Sequence, residues 1–203
     1  MTETTDRQRA LGRVLRASTA SFTAGCRTLE EDLPVFGALV QAERGDGAAV
    51  YGLIYDVRVD DDPFVRQLIA AGDLSEEYVQ DQRQRRQVPV EVNVLVVGGR
   101  ERSGQVYQYL PPQPPATLSW VTVCQPEQVR QFGQRLDFLR TVLDAADAPA
   151  DELAAAALRQ AAAAAQGDAG QARRYLETAG RELARLLSRD PARLNGILQR
   201  MRP

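Results

Sequence analysis

Between residues 48 and 59 the chain passes from an unbroken apolar run to alternation. Ala48-Ala49-Val50 leads into Tyr51, Leu53, Tyr55, Val57 and Val59 at the odd positions, with Gly52, Asp56 and Arg58 among the residues between them. A period of two with one apolar side predicts a strand that buries one face. The same period is cleaner at 88–96, where Val88, Val90, Val92, Val94 and Val96 share a face and Pro89, Glu91 and Asn93 take the other. Upstream, Gly12 to Ser18 and the segment opening at Ser21-Phe22-Thr23 read as two strands. Val35 to Glu43 reads as a third, whose Gly37 permits a bulge or a close backbone approach. Arg44-Gly45-Asp46-Gly47 supplies the positive φ values of a hairpin turn. Gln105 to Leu110 and Thr117 to Cys124 complete the set, on either side of Pro111-Pro112-Gln113-Pro114-Pro115. These short strands, roughly six of barrel type, with their Gly and Pro punctuation predict a small closed antiparallel barrel.

Elsewhere the period is helical. Asp60-Asp61-Asp62-Pro63 stops the strand, Phe64, Leu68 and Ala71 fall at helical spacing, and Ser75 ahead of Glu76-Glu77 reads as the N-cap of a second short helix. After Pro126, the residues Val129, Phe132, Leu136, Leu139 and Leu143 step by three and four and predict one helix with a single apolar stripe. Two further helices are expected from Asp151 to Gln166 and from Gly170 to Ser188. In the latter, Ala172, Tyr175, Leu176, Ala179, Leu183 and Leu187 form the inner face, and Arg173, Arg174, Arg181 and Arg185 point away. Asp190 caps a last helix with Pro191 at its first position and Leu194, Ile197, Leu198 and Met201 as its apolar side. The expected fold is α+β: a flexible arm over 1–11, a six-stranded closed β-barrel over 12–125 with a helical insertion at 60–87, and a C-terminal helical bundle over 126–203.

Composition narrows the chemistry. All 25 basic residues are Arg, and the chain contains no Lys and no His. That excludes a Walker A loop, a Schiff-base lysine, a pyridoxal phosphate anchor, a Ser-His-Asp triad and a His-ligated metal. The expectation is a protein that is not an enzyme and has no catalytic residues, cofactor or metal. A net charge of -2 predicts no general attraction to nucleic acid or anionic membrane. Cys26 and Cys124, far apart and in strand regions, read as small buried apolar groups rather than a disulfide or metal site. The polar N-terminus and the lack of a spanning apolar run predict a cytoplasmic protein with no membrane partner.

A few clusters carry a second meaning. Asp56, Asp60, Asp61 and Asp62 could hold a hard cation, but a strand end followed by a helix cap explains them as well. Arg83, Arg85 and Arg86, interleaved with glutamines, could contact phosphates, and Arg173, Arg174 and Arg181 suit a protein interface. For both groups a solvated helix face is the commoner meaning. Tyr51, Tyr55, Tyr107, Tyr109 and Trp120 could form a base-stacking platform or pack the core.

The order Gly12-Arg13-Val14-Leu15, Ser18 to Phe22, Phe36-Gly37-Ala38-Leu39-Val40, a Gly-rich turn and Val50-Tyr51-Gly52-Leu53-Ile54-Tyr55-Asp56-Val57 resembles the HAS-barrel. This is the N-terminal barrel of HerA-type DNA translocases and of F1-type ATP synthase subunits. Leu110 to Pro115 and the strand after it match that barrel's closing segment. The resemblance spans about Gly12 to Cys124 and makes Gly12, Gly37, Gly45, Gly47 and Gly52 structural residues of the barrel. The family's translocases continue into an ATPase with a Walker A Lys. Here a helical tail follows and no Lys exists, so catalysis does not carry over. What the resemblance implies is docking or oligomerisation: an adaptor for a HerA-like ATPase or NurA-like nuclease in DNA end processing, touching nucleic acid only indirectly, with homo-oligomerisation as a further expectation. The alternative is a barrel that binds single-stranded nucleic acid itself.

Overall fold

Alternation sorts side chains to two sides of a sheet, and here both sides are buried over much of its area. In a computed structural model, which describes residues 10–29, 32–59, 63–72, 75–85, 87–164 and 169–202, the strands are β1 (Ala10–Ala17), β2 (Ser21–Thr28), β3 (Leu39–Glu43), β4 (Ala49–Val59), β5 (Val88–Arg100), β6 (Val106–Tyr107) and β7 (Trp120–Val123). All pairings are antiparallel. Six strands close in the order β1-β2-β5-β4-β3-β7 and back to β1, and β6 lies beside Gly99 and Arg100 of β5. The predicted six-stranded barrel is therefore present, with one short strand added.

The interior is filled by Val14, Phe22, Ala24, Val40, Val50, Ile54, Val121 and the five even-numbered valines of β5. Closure pairs both sides of each of these six strands, which leaves the two-residue β6 as the edge strand among the described residues. The pairing of β4 with β5 slips between Ile54 and Asp56. An extra residue on one strand moves the following side chains to the opposite face. Tyr51, Leu53 and Tyr55 accordingly face outward onto helices, Val57 packs on the barrel interior, and Val59 is exposed. The single buried face expected over 51–59 is thus two faces joined at a bulge.

Three strands are shorter than expected. Residues 35–38 form a turn, so β3 begins at Leu39 rather than Val35. The cause is Gly37, whose φ of 81° takes the chain out of the extended region while its N–H donates to the Ile54 carbonyl at 2.7 Å. Only Val106 and Tyr107 of the expected 105–110 strand pair, and the last strand starts at Trp120 rather than Thr117. The turn at 44–47 closes the β3–β4 hairpin, with Arg44 N–H donating to the Ala48 carbonyl at 2.8 Å and Gly47 at a φ of 82°.

The helices are α1 (Pro63–Ala71), α2 (Glu76–Arg85), α3 (Pro126–Gly133), α4 (Phe138–Leu143), α5 (Ala150–Ala163), α6 (Ala169–Leu186) and α7 (Pro191–Arg200). The first two form the insertion, and the Ser75 hydroxyl accepts from Tyr78 N–H at 3.3 Å, as an N-cap does. Asp190 caps α7 in the same way, its carboxylate accepting from Arg193 N–H at 3.0 Å. The single helix expected over 129–143 is broken into α3 and α4. The break is held by Gln108, whose amide donates to the carbonyls of Phe132 (2.6 Å) and Arg135 (3.0 Å) while its carbonyl accepts from Phe138 N–H (3.0 Å).

A second core joins the outer face of the barrel to the tail. Leu39, Tyr51, Leu53 and Val97 meet Phe132, Phe138, Leu139, Leu153, Leu158 and Leu183 there, each large apolar side chain contributing about 1.5–3 kcal/mol on full burial. Residues 154–157 of α5 are four consecutive buried alanines, which let the helix approach the barrel closely. A Cβ on Gly37 would stand 2.6 Å from that of Ala156, and Gln160 Nε2 donates to the Phe36 carbonyl at 2.8 Å. No helix among the described residues is long and apolar enough to cross a membrane.

Candidate docking site

The tail helices α5, α6 and α7 share one side of the second core, but their packing leaves a depression. Residues 172, 176 and 180 of α6 step by four and so lie along one flank of that helix. The central stripe, Tyr175, Ala179, Leu183 and Leu187, is committed to the core. The flank, Ala172, Leu176 and Gly180, is half-buried and opens onto a groove of about 1110 Å³. Its other wall is Ala162 and Ala163 of α5 with Leu198 and Met201 at the end of α7. Small residues make the floor wide, and Met201 supplies an adaptable wall.

Arginines ring the opening. Arg159, Arg173 and Arg202 line it with a single acid, Glu177. Arg173 Nε donates to Glu177 Oε1 at 2.9 Å. Arg159 donates to the Arg200 carbonyl, and neither Arg159 nor Arg202 forms an ion pair among the described residues. The walls are braced from outside: Arg193 Nε meets Asp151 at 2.6 Å and its Nη2 donates to the Leu143 carbonyl at 2.9 Å, tying α7 to α5 and α4. Arg200 Nε meets Glu152 at 2.5 Å. An apolar trough with a cationic rim suits an amphipathic ligand carrying negative charge.

A second cavity, about 60 Å³, lies between barrel and helices, lined in part by Gly37, Cys124, Phe132, Gln160 and Tyr175. The Tyr175 hydroxyl is buried without a hydrogen-bond partner, and burial pushes its pKa up. Burial also pushes the Cys124 thiol up to about 12. A thiol in that state is not a nucleophile at neutral pH.

The expected site residues are dispersed. Arg173, Arg174 and Arg181 are exposed on α6, but only Arg173 reaches the groove. Arg83 and Arg85 belong to α2, with side chains outside the described part, and Arg86 lies outside the described residues. Asp56 accepts from Asn93 Nδ2 at 3.2 Å and pairs with Arg58 at 3.6 Å. Asp60, Asp61 and Asp62 lie outside the described residues, and no group of three potential metal ligands occurs among those described. Cys26 and Cys124 are free thiols, one half-buried and one buried.

The aromatic residues do not assemble one platform. Tyr51 packs edge-on against Phe132 at 5.7 Å, Tyr107 stacks on Tyr109 at 4.5 Å, and Trp120 lies under the Arg13 guanidinium at 3.7 Å. Of the barrel glycines, Gly52 leaves no room for a Cβ beside Val94, and Gly12 leaves none beside Gly25. Gly45 faces open space.

Sequence periodicity placed Ala172 and Leu176 on the inner face of α6, and Leu198 and Met201 on the apolar side of α7. It missed the contribution of α5, whose signal is the run of alanines through Ala163. No protein-family model matches the chain, and no curated protein matches it.

Proposed function

We propose that this protein is a non-catalytic adaptor: a HAS-like barrel that docks to a HerA-like ATPase or a NurA-like nuclease in DNA end processing. The observation that carries the reading is the apolar, arginine-rimmed groove on helices joined to a closed barrel through a common core. A closed barrel, a tail packed on it and an open apolar surface are what an assembly protein needs, since a partner then meets a preformed surface. The missing Lys and His turn the reading away from nucleotide hydrolysis and acyl transfer. The link to these particular partners rests on the resemblance of residues 12 to 124 to the HAS-barrel.

The test is to mix the purified protein with a HerA-like ATPase or a NurA-like nuclease from the same source and measure the mass of the eluted species. A complex of fixed stoichiometry is expected. No complex with either would overturn the reading. Salt-dependent binding of single-stranded DNA by the protein alone would favour the nucleic-acid-binding barrel instead.

A further inference from the structure

We infer that the groove between α5, α6 and α7 receives an amphipathic helix of a partner protein, with its apolar stripe on Leu176, Leu198 and Met201 and its carboxylates beside Arg159, Arg173 and Arg202. The inference rests on the adaptor reading and adds the chemistry of the docked segment.

Three observations select this occupant. The trough runs along α6 from Ala172 to Gly180, a rise of about 12 Å, which is about two helical turns. Its lining includes Ala162, Ala163, Ala172 and Gly180. These small side chains let a helix backbone come close, whereas an extended strand would find no unpaired ladder among helices to add to. The rim sets three arginines against one glutamate, and that glutamate is already held by Arg173. A basic or neutral segment would leave this charge uncompensated. Carboxylates flanking an apolar stripe would meet it, and paired guanidinium groups bind carboxylates well at an interface.

The occupant's chemistry can be tested without knowing the partner. Two designed helical peptides with the same leucine stripe at i, i+3, i+4 and i+7 are labelled with a fluorophore, one flanked by glutamates and one by lysines. They are titrated with the full chain. The acidic peptide is expected to bind at least about tenfold more tightly than the basic one. Ala163→Trp, which adds bulk at an exposed position in the trough, is expected to abolish binding of both. Arg173→Glu combined with Arg202→Glu is expected to reverse the preference.

Absence of binding, equal binding of both peptides, or an unchanged preference in the double reversal overturns the inference. So does displacement of the acidic peptide by oleate at equal or lower concentration, which would make the trough a fatty-acid site. A wild-type dimer that Ala163→Trp converts to monomer would assign it to a second copy of the chain. Co-elution with the ATPase or nuclease separates the two proposals. If Ala163→Trp leaves that complex intact, the adaptor docks elsewhere and only the groove inference falls. If the peptides behave as expected and no such complex forms, the assignment of partners falls and the groove's chemistry stands.

Discussion

Gln108 does the work of a cap for two helices at once. It is 8% exposed and satisfies two carbonyls and one N–H where α3 gives way to α4. Replacing it by Ala leaves those three backbone groups inside the fold without partners, and each such loss costs about 1–3 kcal/mol. Gln108→Ala is expected to lower stability by about 2–4 kcal/mol in chemical denaturation, some relaxation reducing the sum. Little change in midpoint would mean that water replaces the amide. Cys124 acts on a different variable. Burial pushes its thiol up to about 12, whereas an unfolded thiol titrates at about 8.5. Between those values the unfolded chain has released a proton that the folded chain keeps, so the unfolded state binds fewer protons and stability falls as pH rises. The contribution is whole below about pH 8.5 and is lost progressively toward 12. Thermal melts of Cys124→Ala between about pH 9 and 11 are expected to show a shallower decline than wild type. Tyr51 and Tyr175, whose pKa values burial also raises, keep some slope in both proteins.

At the scale of elements, the contact of Gly37 with α5 fixes how close the helix lies to the barrel. A side chain at Gly37 meets both a positive φ, costing about 1–2 kcal/mol, and the Ala156 methyl group 2.6 Å from the new Cβ. Gly37→Ala is expected to destabilise by about 2–4 kcal/mol, and Ala156→Gly in the same chain to recover part of that loss. Strict additivity in the double-mutant cycle would show that the strain is in the backbone alone. The insertion has the opposite character. None of the described side chains of α1 and α2 belongs to either core, and Ile69 is 72% exposed. Replacing residues 60–87 by a short Asn-Gly turn is expected to leave the barrel folded and to stabilise it by up to about 2 kcal/mol, because each halving of loop length recovers about 0.6 kcal/mol of closure entropy. A large loss would reveal packing by the insertion. The strands were legible because their valines and glycines carry the period and the turns. The β4 bulge was not, since it depends on register against β5, and the α3–α4 break was not, since the apolar stripe from Val129 to Leu143 runs through it. The residue that imposes the break comes 24 positions before Phe132, beyond the reach of local periodicity.

The whole molecule is held by the surface where barrel and tail meet. The outward faces of Leu39, Tyr51, Leu53 and Val97 are covered only because the helices pack there, and Gln128 Nε2 joins the tail to Gln41 of the barrel at 3.1 Å. From sequence, the barrel and the helices read as consecutive regions. Their shared core was not legible, because a strand apolar on both faces looks the same whether its second face meets helices or another chain. The groove was hidden for a related reason: the flank of α6 is marked by Ala172 and Leu176, but its depth depends on where α5 and α7 come to rest. A shared core also dictates how the molecule unfolds. Trp120, the one tryptophan, sits on β7 under Arg13 and reports the barrel, while far-ultraviolet circular dichroism is dominated by the helices. If the second core couples them, the two signals change together along a single denaturation curve, as two-state unfolding requires. A fragment ending at residue 125 should then fail to stay a folded monomer, since it would expose that apolar face to water and to other copies. Separate transitions for fluorescence and dichroism, or a stable monomeric fragment 10–125, would show instead that the barrel stands without its helices.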